Sequence, residues 1–112
     1  MLGNMWDRLE FLLEQSNDTV GMKGQYVFDR EHNWTFDIAW PNEEVAIEIV
    51  YGSKVFDFDK YAHAQRDDWR ILFVPLRWVD EQNKLIIEVV EKLLYAANQR
   101  EGDNWTNQTF IL

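Results

Sequence analysis

From Trp34 to Tyr51 the chain is aromatic and β-branched on both sides of Pro41-Asn42-Glu43-Glu44, which predicts two antiparallel strands joined by a tight turn. Setting Trp40 opposite Val45 carries the pairing back through Ala39/Ala46 and Ile38/Ile47 to Asp37 facing Glu48. Period-two alternation puts Asp37 on a face with Thr35 and Ala39, and Glu48 on a face with Ala46 and Val50. Phe36, Ile38, Trp40, Ile47, Ile49 and Tyr51 fill the other face.

Around this hairpin the pattern changes period. Met5–Gln15 has helical spacing, with Met5, Trp6, Leu9, Leu12 and Leu13 on its buried side. Gln25–Phe28 reads as a short strand and Asp29–Asn33 as a turn. Asp57–Trp69 returns to helical spacing, with Phe58, Tyr61, Ala62, Gln65 and Trp69 along one stripe. Arg70–Trp78 is almost continuously apolar, as in a strand buried on both faces, and its arrival through a helical crossover predicts parallel pairing. Asp80-Glu81 opens a last helix whose Leu85, Ile86, Val89, Val90, Leu93, Leu94 and Ala97 form a wide apolar face. The expected order is α-β-β-β-α-β-α, an α/β (α+β) fold with a mixed sheet between helices. Residues 1–98 make one domain; 99–112 form a polar tail whose tip, Phe110-Ile111-Leu112, docks, meets a partner or stays disordered.

Asp37 and Glu48 carry the candidate chemistry. Like charges directly across a strand pair repel, so something cationic should sit between them. If both acids face water, repulsion is screened and the pair means nothing. Their neighbours Ala39, Ala46 and Val50 are small or apolar, however, which suggests a shallow covered site with a divalent cation as its simplest occupant.

Composition changes the picture in two ways. No cysteine is present, so a disulfide framework and a thiolate zinc site are excluded, and no stretch approaches a membrane span. Lacking a signal-peptide profile as well, the chain is expected in the cytoplasm, with its N-x-T triplets unglycosylated. The net charge of −9 disfavours unaided binding of duplex DNA, which draws most of its non-specific affinity from basic faces. An acidic surface favours a basic protein partner instead.

Gln25–Pro41 (Q-Y-V-F-D-R-E-H-N-W-T-F-D-I-A-W-P), V-A-I-E-I (Val45–Ile49), D-F-D-K-Y-A-H-A (Asp57–Ala64) and W-R-I-L-F-V (Trp69–Val74) together resemble the PD-(D/E)xK nuclease superfamily, with its restriction-endonuclease-like αβββαβα fold. Within it they resemble the small phage-type endonuclease-like proteins. The resemblance implies a magnesium-dependent deoxyribonuclease with Mg²⁺ or Mn²⁺ on Asp37 and Glu48. It also implies Lys60 as a migrated form of the family's lysine, whose usual place is Val50, and Glu10 as a supporting metal acid. The metal would polarise a scissile phosphate and lower the pKa of its bound water. The sequence departs from its relatives after Glu48: Val50-Tyr51-Gly52 lacks their second acid, and Ser53–Phe56 replaces their long basic loop. A second expectation follows, in which a catalytically inert acidic relative binds and blocks a basic nucleic-acid-binding protein, as a phage-encoded inhibitor of a host defence nuclease would.

Other residues carry weaker signals. Lys54 could reach the same acids from its loop. His63, one helical turn from Asp59 and Asp67, reads as a surface pair, and His32 has no ligand spacing to it. Of the tryptophans most fall on core-facing positions, and only Trp105 looks free to recognise something. The last helix and the Phe110–Leu112 tip could also build a homodimer.

Overall fold

A computed structural model describes residues 2–15, 21–52, 57–99 and 109–111. Helix α1 (Leu2–Glu14) is followed by strands β1 (Lys23–Asp29), β2 (Trp34–Trp40) and β3 (Val45–Val50). Helix α2 (Phe58–Arg66), strand β4 (Arg70–Pro75), the short helix α3 (Trp78–Glu81), helix α4 (Asn83–Gln99) and strand β5 (Thr109–Ile111) complete the order. The expected α-β-β-β-α-β-α arrangement is present, with α3 and β5 added to it.

The β2–β3 hairpin has the expected register, Trp40↔Val45, Ala39↔Ala46 and Ile38↔Ile47. Its turn is closed by the Glu43 and Glu44 N–H groups donating to the Trp40 and Pro41 carbonyls, and Glu44 takes a positive φ of 58° to bring the chain back into β3. At β1–β2 the same task falls to Asn33, φ 55°, a residue type that tolerates the left-handed region. β1, β2 and β3 are antiparallel, whereas β3 and β4 run parallel from Val45↔Arg70 to Val50↔Pro75, as the crossover through α2 requires. β5 adds parallel to the far side of β4, giving the order β1-β2-β3-β4-β5. Phe110 and Ile111 of the predicted apolar tip therefore pair as part of an edge strand, while 100–108 and Leu112 lie outside the described residues.

Two apolar clusters cover the sheet. Leu9 and Leu13 of α1, Val79 of α3 and Ile86, Val90, Leu93, Leu94 and Ala97 of α4 pack with Ile38, Trp40, Ile47, Ile49, Leu72 and Val74. On the other cluster Tyr61 and Ala64 of α2 pack with Ala39, Ala46, Ile71, Phe73, Trp69 and Phe36. β3 and β4 are buried over four or five consecutive residues, which is why their sequences run apolar instead of alternating.

Several expectations need correcting. Phe36 joins the α2 side and not the face of Ile38, because strict alternation fails at Asp37. The α2 stripe is offset: Phe58 is 73% exposed and Ala62 is exposed, whereas Tyr61 and Ala64 are buried. The small side chains of Ala39 and Ala46 leave room for Tyr61 over the sheet, and that turns Phe58 outward. The last helix starts at Asn83, after a break at Gln82 (φ −131°), and Leu85 faces away from its buried stripe.

Candidate active site around Asp37, Glu48 and Lys60

Glu48 is the one charged side chain buried among the described residues, 1% exposed in the middle of β3. A carboxylate there is tolerated only if its oxygens are well supplied with donors. Oε1 accepts from the Lys60 ammonium at 3.2 Å and from the Asp37 backbone N–H at 3.3 Å. Oε2 accepts from the Tyr61 hydroxyl at 3.0 Å.

Local sequence explains why these donors arrive. Asp57 caps α2, its carboxylate accepting the Lys60 N–H at 3.1 Å, and this fixes the first turn so that Lys60 and Tyr61 both descend onto β3. Lys60 is 13% exposed at its side chain and passes over the Phe36 and Tyr61 rings, 5.8 and 5.1 Å from their centroids.

Asp37 reaches the same place from β2. The β2–β3 register stops at Ile38↔Ile47, and beyond it side chains take over from the ladder. Asp37 Oδ2 accepts the Ile49 N–H at 2.8 Å while Glu48 accepts the Asp37 N–H, so each acid holds the backbone of the other's strand. Burial first, then the charge and hydrogen bond of Glu48, then the charge of Asp37, push the Tyr61 hydroxyl far above its ordinary value. The tyrosine therefore remains a donor to Glu48 at any physiological pH.

The structure thus brings Asp37, Glu48 and Lys60 together. Glu10 on α1 lies with its carboxylate against the Gly24 backbone, an approach that only a residue without a Cβ allows. Among the described residues no three His, Cys, Asp or Glu side chains group closely enough to hold a metal, so Glu10 does not complete a trio with the two central acids. Lys54 and Trp105 lie outside the described residues.

Tyr61 is the participant that sequence reasoning missed, having been assigned to the helix stripe as core. An aromatic with a hydroxyl directly after the predicted lysine was the available signal. His63 differs too: its Nδ1 is 2.9 Å from the Asp59 carbonyl oxygen and not from a carboxylate. Its ring lies 5.4 Å from His32, with Trp34 stacked on His32 at 4.1 Å.

Comparison with protein families, with curated proteins and with solved structures returned no match for the chain. What the site can do must therefore be argued from its own groups. Two carboxylates and a lysine put hard oxygen donors beside a fixed cation, with both Glu48 oxygens and Asp37 Oδ2 already accepting protein hydrogen bonds.

Proposed function

We propose that the protein is a metal-dependent, nuclease-like hydrolase of DNA phosphodiester bonds. The observation that carries this reading is the meeting of the Lys60 ammonium and the Asp37 N–H on one oxygen of buried Glu48, from positions 12 and 11 residues away. Asp37 and Glu48 would hold Mg²⁺ or Mn²⁺, and two acids suffice because Mg²⁺ fills the rest of its shell with water and substrate oxygens. When bound, the ion supplies Lewis-acid polarisation and an acidified water. Lys60 has three N–H donors, of which one faces Glu48, leaving donors for the charge that develops on a phosphoryl oxygen. Tyr61 and the Asp37 N–H orient the Glu48 carboxylate.

Nicking of supercoiled plasmid in Mg²⁺ or Mn²⁺ tests the proposal. The wild-type protein should nick, Asp37→Asn should not, and Lys60→Ala should lose about 10²-fold or more. A wild-type protein inert on plasmid and on single-stranded or branched DNA would count against it.

A second reading is favoured by the net charge of −9 and by the near-complete burial of Glu48 under protein donors. In it the charge cluster is structural and the acidic surface binds a basic nucleic-acid-binding protein. That reading predicts no metal uptake, and a complex that dissociates as salt is raised.

A further inference from the structure

A chain with 20 acids and 11 bases would be expected to line its grooves with acids, yet one groove does the opposite. Along β1 an open cleft of about 520 Å³ is lined, among the described residues, by Lys23, Gly24, Gln25, Tyr26, Val27, Arg30 and Asn33, two cations and no carboxylate, although the Glu10 carboxylate lies against the Gly24 backbone. Lys23 and Arg30 are both exposed, at opposite ends of the strand.

The cleft's position matters as much as its charge. β1 is the outer strand of the sheet, and its register places Gly24 opposite Ile38 and Tyr26 opposite Phe36, so Gln25 stands level with Asp37. The groove thus runs level with Asp37, one strand away, and lies two strands from Glu48. Gln25 has a positive φ of 46°, and the β1–β2 register shifts between Val27 and Asp29. An edge kinked twice is a poor template for an added β-strand, which argues against an extended peptide as the occupant.

We propose that this cleft holds a single strand of nucleic acid by its phosphates, with Lys23 and Arg30 as the principal contacts and Gln25 and Asn33 as polar ones. The inference rests on the phosphodiester reading of Asp37 and Glu48. It supplies a substrate grip beside those acids.

The test is fluorescence anisotropy of labelled oligo(dT) in EDTA, at several salt concentrations, with circular dichroism to confirm folding. Wild-type protein should bind, and Lys23→Ala/Arg30→Ala should weaken binding about tenfold or more. The double variant should also flatten the slope of log affinity against log salt by about 1.4, two phosphate contacts at about 0.7 each. Lys92→Ala, which removes an exposed lysine of α4 that does not line the cleft, should bind as well as wild type. A double variant with unchanged affinity and slope overturns the proposal, as does a wild-type protein without affinity at low salt. Displacement of the oligonucleotide by polyglutamate more readily than by unlabelled oligo(dT) would assign the cleft to an acidic polypeptide and overturn it too. Because no divalent metal is present, this readout is separate from plasmid nicking, and either can fail while the other stands.

Discussion

At the scale of single residues, Glu48 and Lys60 are a buried pair whose worth lies in being complete. Removing one partner of such a pair leaves an unpaired charge and typically costs about 3–5 kcal/mol, whereas replacing both is often nearly neutral. Lys60→Met should therefore lower the unfolding free energy by about 3 kcal/mol, and Glu48→Gln/Lys60→Met should recover most of that loss in denaturant titrations. A strictly additive double variant would mean that the two side chains do not interact. Tyr61 adds a pH signature. Its hydroxyl is raised in the folded state, so above about pH 10, the ordinary tyrosine value, the unfolded chain gives up a proton that the folded chain keeps. That contribution is fully present below the unfolded value and is lost as pH rises above it. Stability should thus fall with alkali, and Tyr61→Phe should flatten this fall while losing about 1.5–3 kcal/mol at neutral pH for a hydrogen bond to a carboxylate. Equal alkaline slopes in the two proteins would contradict the assignment.

At the scale of elements, the buried stripes decide which substitutions matter. Leu13→Ala should cost about 2–5 kcal/mol because it opens a cavity between α1 and the sheet, and Phe11→Ala, at a side chain 60% exposed, should stay within about 0.5 kcal/mol. The hairpin was legible because turn chemistry and flanking apolar runs fix a register without tertiary information, and the parallel pairing of β4 followed from its crossover. Local reasoning failed where the fold overrides period. Phe36 packs on the α2 side beside Asp37, whose carboxylate takes a backbone N–H of β3, and Phe58 turns outward because Tyr61 takes the space over Ala39 and Ala46. The meeting of His32 and His63 around Trp34 depends on how α2 lies over β2, and no spacing along the chain encodes that. β5 is a further case. Three apolar residues predict an apolar tip but not its strand partner, and a chain ending before Thr109 should lose amide-exchange protection at Ile71–Phe73, the residues that β5 pairs.

For the whole molecule, charge and topology pull in different directions. A net charge of −9 repels nucleic acid at long range, while the fold gathers one acid each from β2 and β3, a lysine from α2 and two cations along the β1 groove. No helix among the described residues is long and apolar enough to cross a membrane. If the proposed phosphodiester hydrolysis takes place, cations beside the acids should make it strongly salt-dependent. All of this presupposes that Asp37 and Glu48 share an ion, which calorimetric titration of Mn²⁺ into the metal-free protein tests directly. Wild-type protein should take up one equivalent, and Asp37→Asn, which keeps an acceptor for the Ile49 N–H but loses the charge, should take up none. Absence of binding by the wild type, or an unchanged isotherm in the variant, would contradict the account.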